Sequence, residues 1–254
     1  MLCKANYYDF YTSDHRIVDV LVEAVKEFDL AKGAIPAGLK TYAYTKLAKA
    51  YCQCSRFEEA MRTYKECFAL WGDELKRNHY HMLMYSVIAI IAHEFDEAQK
   101  MLDNFQAPNM TATPDVGMQF NIARNYAILH LHRSEYSQAF EHMQMFLQLR
   151  RSATDLLGDI LNRLVHNAYF VLTGDLETAL KLIEKNKKFL RSKGKTALTN
   201  QYDGYFSSMR DIIRYKYGIA KLPTDFDKQM ESYQEGIMKL YGDLLVKMLQ
   251  KKHG

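Results

Sequence analysis

One stretch, Tyr44–Phe68 (YTKLAKAYCQCSRFEEAMRTYKECF), limits what this chain can fold into more than any other. Tyr44, Leu47, Ala48 and Tyr51 fall at i, i+3, i+4 and i+7, one face of an α-helix. Phe57, Ala60, Met61, Tyr64 and Phe68 repeat that spacing. About three residues separate the two faces, so the helices must turn back and pack on each other. Ser55 followed by Glu58 predicts a capping box at the second helix start. Ala48 and Ala60 are small where the two axes should approach most closely.

The second-helix alanine recurs. EFDEA, EYSQAF and DLETAL place Ala98, Ala139 and Ala179, at intervals of 38, 41 and 40 residues from Ala60 onward. Each alanine has an aromatic residue or leucine three positions earlier: Phe57, Phe95, Tyr136 and Leu176. The Leu-small pair of the first helix, Leu47-Ala48, becomes Tyr85-Ser86, Tyr126-Ala127 and His166-Asn167. Tyr44, Leu47, Ala48, Tyr51, Phe57, Ala60 and Tyr64 together resemble the tetratricopeptide repeat pattern, fullest at 44–68 and thinner over the rest of roughly 40–190. The intervals exceed that family's usual ~34 residues and would also suit other helical-pair solenoids. The resemblance implies an all-α fold, a right-handed α-α superhelix of hairpins that bury their apolar faces by stacking. The implied organisation is an N-terminal helix or cap (1–38), four hairpins (39–193) and C-terminal helices serving as a cap (194–254).

The flanks fit a helical chain. An aromatic lead-in (Tyr7, Tyr8, Phe10, Tyr11) precedes a helix capped by Ser13 or Asp14, with Ile17, Val18, Leu21, Val22, Val25 and Phe28 on one side. A loop with two prolines is expected over 107–117. Gly174-Asp175 supplies a helix end and the next N-cap. After Pro223, capped by Thr224 and Asp227, one long helix is expected from Asp225 to about Lys251. Its apolar face either caps the array or folds back into its groove.

Apolar residues at 48% and charged residues at 25% place the chain among globular proteins, against disorder. A net charge of +4 is short of what nucleic-acid binding asks for. The longest apolar stretch, Met82–Ala92, is too short for a membrane span. With Met1 as the start and no secretory segment, the expected location is cytoplasmic, with Cys3, Cys52, Cys54 and Cys67 reduced.

No constellation recommends catalysis, a cofactor or a metal. Gly194-Lys195-Thr196 resembles the tail of a phosphate-binding loop, but Phe189 stands where that loop needs glycine, which favours a plain turn. Cys52-x-Cys54, His79-x-His81 and His130-x-His132 point paired ligands to different helix faces. Structural thiols and packed imidazoles, His166 included, are the better reading. The chain is therefore read as a non-enzyme.

Two surfaces remain. Lys181–Lys195 carries seven cations, among them Lys185, Lys187, Lys188 and Arg191, against one carboxylate, Glu184. It reads as a solvated helix face, or as a dock for an acidic partner, RNA or a membrane surface. The second surface follows from the resemblance, whose inner wall maps onto Tyr42, Thr45, Lys46, Lys49 and Gln53 in the first hairpin. In the third it maps onto Asn121, Arg124, Asn125 and His132. Leu83, Val87 and Ile90 of the second hairpin, and Leu164 and Val171 of the fourth, would line it with apolar groups. They suit a hydrophobic peptide or the chain's own C-terminal helix. The expected function is an interaction scaffold that holds a peptide or helix of a partner protein in this groove. The alternatives are a sensory or regulatory segment closing on a peptide or small ligand, and the basic dock.

Overall fold

Four short turns organise the structure. Each joins two helices and places one of the recurring alanines at the same point. In this computed structural model, which describes residues 15–31, 36–76, 79–106, 116–149 and 156–251, twelve α-helices are present and no strand occurs among the described residues. The aromatic lead-in, Ser13, Asp14, Cys3 and the loop of 107–115 lie outside them.

The chain divides into two compact units, Met1–Pro114 with Glu235–Ile237, and Asp115–Gln234 with Met238–Gly254. The division falls inside the expected 39–193 array, after its second hairpin. The first unit holds α1 (His15–Leu30), α2 (Ala37–Gln53), α3 (Phe57–Lys76), α4 (His79–Ile91) and α5 (Phe95–Asp103). The second holds α6 (Val116–Arg133), α7 (Tyr136–Leu149), α8 (Leu156–Thr173), α9 (Leu176–Ser192), α10 (Ala197–Lys216), α11 (Phe226–Ser232) and α12 (Lys239–Gln250). Within each unit, helices consecutive in sequence pack on each other, most closely in the pairs α2–α3, α4–α5 and α6–α7.

The turns α2–α3, α4–α5, α6–α7 and α8–α9 share one backbone design. The residue ending the first helix lies in the left-handed region: Ser55 (φ 60°), His93 (φ 60°), Ser134 (φ 64°) and Gly174 (φ 93°). In the first three turns the next amide reaches back five residues. Arg56 N donates to Tyr51 O, Glu94 N to Ala89 O and Glu135 N to His130 O, each at 2.8 Å, which closes a Schellman motif. That same residue then accepts from the recurring alanine. Ala60, Ala98, Ala139 and Ala179 donate to Arg56, Glu94, Glu135 and Asp175, at 3.0 to 3.1 Å. All four alanines are buried to 1% exposure or less, so a larger side chain at any of them would press on the facing helix, at about 1–3 kcal/mol.

This geometry corrects the capping box expected at Ser55 and Glu58. Ser55 ends α2 instead of starting α3, and Arg56 pairs with Glu59 at 2.8 Å. At the fourth turn Asp175 is an N-cap, accepting from Thr178 N at 3.1 Å.

Facing the alanines, the second residue of each Leu-small pair is also sealed. Ala48, Ser86, Ala127 and Asn167 are all 0% exposed, although polar residues fill two of these places. Ser86 satisfies its hydroxyl on Leu83 O at 2.7 Å. Aromatic rings fill the space between hairpins: Tyr64 of α3 stacks on Tyr85 of α4 at 5.0 Å and 12°. Tyr85 in turn donates to Glu97 of α5 at 3.1 Å, and Tyr44 of α2 to Asp29 of α1 at 2.9 Å.

The long final helix expected from Asp225 is in fact broken. α11 closes with the i−3 bonds of Tyr233 to Met230 O and Gln234 to Glu231 O. Asp225, not Thr224, is its N-cap residue. A short 3₁₀ turn, Gly236–Met238, precedes α12, and Gly236 takes φ 51°. α12 then runs so close to the end of α11 that a Cβ on Gly242 would lie 2.2 Å from Tyr233 O. Only glycine fits there.

Candidate functional site

In the first unit, Tyr42, Lys46 and Lys49 recur at helical spacing along α2 and line one side of a pocket of about 360 Å³, with Thr45 between them. Tyr80, His81 and Met84 of α4 line the opposite side, and Tyr64 of α3 contributes from the buried interior. The two lysines expected from the inner-wall positions of the first hairpin are thus brought to one cavity. Lys46 Nζ lies 5.5 Å from the centre of the Tyr42 ring, a cation–π distance. Thr45 has its hydroxyl turned to the backbone, donating to Tyr42 O at 3.0 Å.

The α4 side was not anticipated. Tyr80 follows Tyr42 by 38 residues, the same interval as the alanines, so the mapping that chose Lys46 contained it. His81 had been considered only as a metal ligand. Tyr80 sits half exposed at the rim, edge-to-face with the His81 ring at 5.7 Å. Burial pulls the His81 imidazole below its ordinary pKa and the Lys46 ammonium adds to the shift, so the ring is neutral at pH 7. Burial holds the Tyr64 phenol well above its usual value, so it stays a hydroxyl.

In the second unit the expected inner-wall residues meet the chain's own C-terminal helices. α12 packs against α8 and α10. His132 Nε2 lies 3.2 Å from Leu240 O of α12. Burial lifts the phenols of Tyr202 (α10) and Tyr241 (α12), and the Arg124 guanidinium partly offsets both shifts, which places it beside them. Asn121 and Arg124 are half-buried. Asn125 is 1% exposed, so the open-groove role expected of it is corrected: it is an interior residue. Leu164 and Val171 are fully buried.

The basic run also changes character. Lys185, Lys188 and Arg191 are exposed on α9, but Lys187 is not part of that surface. It is 5% exposed, and its ammonium donates to Asp203 Oδ2 at 3.1 Å and to Ser207 Oγ on α10. Gly194-Lys195-Thr196 is a helix junction. Gly194 takes φ 83° after α9, and Thr196 caps α10 through a reciprocal pair with Thr199. Cys52 and Cys67 are buried and Cys54 half-buried, with burial pushing the Cys52 thiol up to about 12. His166 is half-buried against the Phe170 ring at 5.2 Å.

The molecule is an all-helical protein of paired helices, with no helix among the described residues long and apolar enough to cross a membrane. Comparison with family models, with curated proteins and with solved structures finds no match.

Proposed function

We propose that this chain is a tetratricopeptide-like helical-repeat module, a non-catalytic scaffold that holds a peptide or helix of a partner protein against its α2–α4 face. Four hairpin turns of one design at intervals near forty residues support the repeat and superhelix reading. The observation that carries the function is the pocket itself, because the first helices of two successive hairpins supply its walls. Polar and aromatic groups on such a face can hold a peptide by charge-assisted hydrogen bonds and ring contacts. The inner positions of the second unit serve another end, since α12 already lies on them.

The test is a photo-crosslinking residue placed at Tyr80, on the pocket rim, in cells that make the protein, with Lys181 on the exposed face of α9 as control. A discrete protein adduct from Tyr80 and none from Lys181 is expected. Equal labelling at both positions, or none at Tyr80, would remove the reading.

A further inference from the structure

The donor set of the α2–α4 pocket names its ligand more closely than "peptide". Lys46 and Lys49 present ammonium groups, His81 an imidazole, and Tyr42, Tyr64 and Tyr80 hydroxyls. The described residues that line the pocket include no carboxylate. Two ammoniums converging on one partly shielded cavity without an acid among its lining set up a positive potential that favours an anion. A carboxylate offers two oxygens, whereas a phosphate monoester offers three strong acceptors and close to two negative charges. The donors here outnumber what a carboxylate can use and match the larger anion. At about 360 Å³ the pocket reaches the roughly 300–1,000 Å³ of small-molecule sites, room for more than an anion alone. Met84 and the Tyr42 and Tyr80 rings supply apolar walls for whatever carries the charge.

Resting on the peptide-binding reading above, we propose that this pocket takes a phosphoryl group carried on an aromatic ring, the side chain of a phosphotyrosine in the partner peptide. The two lysines hold the phosphate oxygens and the tyrosine rings hold the arene. His81 deepens the fit. Neutral in the empty pocket, it gains a proton once a dianion stands beside it.

The experiment is calorimetric titration of the full chain with phenyl phosphate, benzoate and inorganic phosphate, repeated on Lys46→Gln, Lys49→Gln and the exposed control Lys181→Gln, with melting temperatures measured alongside. Phenyl phosphate should bind at least tenfold tighter than the other two probes. Lys46→Gln and Lys49→Gln should each weaken it at least tenfold without unfolding the protein, and Lys181→Gln should leave it unchanged. Benzoate binding as tightly as phenyl phosphate overturns the phosphoryl assignment, and inorganic phosphate doing so overturns the aromatic one. Absence of saturable binding overturns both. If the Tyr80 adduct persists when phenyl phosphate fails, the peptide-binding reading stands and only this inference falls. If phenyl phosphate saturates and the adduct is absent, the pocket serves a free aryl phosphate and the phosphotyrosine assignment falls.

Discussion

Lys247, near the end of α12, donates its ammonium to the backbone carbonyl of Leu131 at 2.9 Å, across 116 residues of chain. The same ammonium reaches His132 O at 2.5 Å. One turn later, Lys251 donates to Leu172 O, which stands 40 residues after His132, at the corresponding place in the next hairpin. Two lysines on one helix therefore satisfy the orphan carbonyls at the ends of α6 and α8, where the helix dipoles favour cations. Burial pulls the Lys247 ammonium below its usual range; the Tyr136 phenol opposes that shift and Lys251 adds to it.

Lys247→Met should accordingly destabilise the second unit. It keeps the apolar stem and removes only the donor, leaving two carbonyls without their cation, at about 1–3 kcal/mol. Urea unfolding should show a lower midpoint with an unchanged slope. A variant as stable as the parent would show that the two bonds contribute nothing net.

The hairpin turns make a second prediction, with opposite signs at different positions. Ser55, His93 and Ser134 hold a left-handed backbone that costs a residue with a Cβ roughly 1–2 kcal/mol. Glycine there removes the strain but loses more entropy on folding, so each change to glycine should stabilise by up to about 1 kcal/mol. Gly174→Ala should destabilise by a similar amount. Thermal melts of the four single variants test this, and a common sign across all four would refute it.

Lys187 and Asp203 form an ion pair with unequal burial, the lysine side chain 6% and the aspartate 38% exposed. Removing either partner should therefore not have the same effect. Asp203→Ala strands a buried ammonium and should cost up to about 3–5 kcal/mol, the range for breaking a buried pair. Lys187→Met leaves a carboxylate that water can still reach and should cost much less. Urea midpoints of the two variants decide the matter: equal losses would mean that burial does not set the balance.

These residues also show where sequence reasoning reaches and where it stops. The alanines at 60, 98, 139 and 179 were legible because each sits in a local pattern, an apolar residue three positions earlier on the same helix face. Lys46 and Lys49 were legible for the same reason, since one face of α2 is a matter of spacing alone. Lys187 was not, because its partner lies sixteen residues on, across a turn, and a cation in a basic run looks like surface. Nor was the burial of Asn125, which depends on helices packed from elsewhere in the chain. The break after α11 was hidden because Tyr233, Ile237, Leu240 and Tyr241 keep helical spacing through it. Only the φ of Gly236 and the approach of Gly242 to Tyr233 reveal the turn.

His81 gives the pH prediction. Its pKa lies below the unfolded value of about 6.5, chiefly through burial and then through Lys46. Lys46, Lys49 and Tyr42 of α2, Tyr64 of α3 and Tyr80 of its own helix line the pocket with it. Between the two pKa values the unfolded chain binds more protons than the native one, so stability rises with pH in that window. The contribution is complete above about pH 6.5 and fades as pH falls toward the folded pKa. His81→Gln should therefore flatten the acid side of the stability curve relative to the parent and leave the curves parallel above pH 7. A dianion in the pocket reverses the sign, because it raises the His81 pKa and binding then takes up a proton. Phenyl phosphate should consequently bind more tightly as pH falls from 8 to 6.5, by at most about tenfold per unit for one proton. Below about pH 6 the ligand itself gains a proton and the trend ends. Calorimetry of the parent and of His81→Gln over that range supplies the check: the slope should vanish in the variant, and a slope common to both would assign the proton to another group.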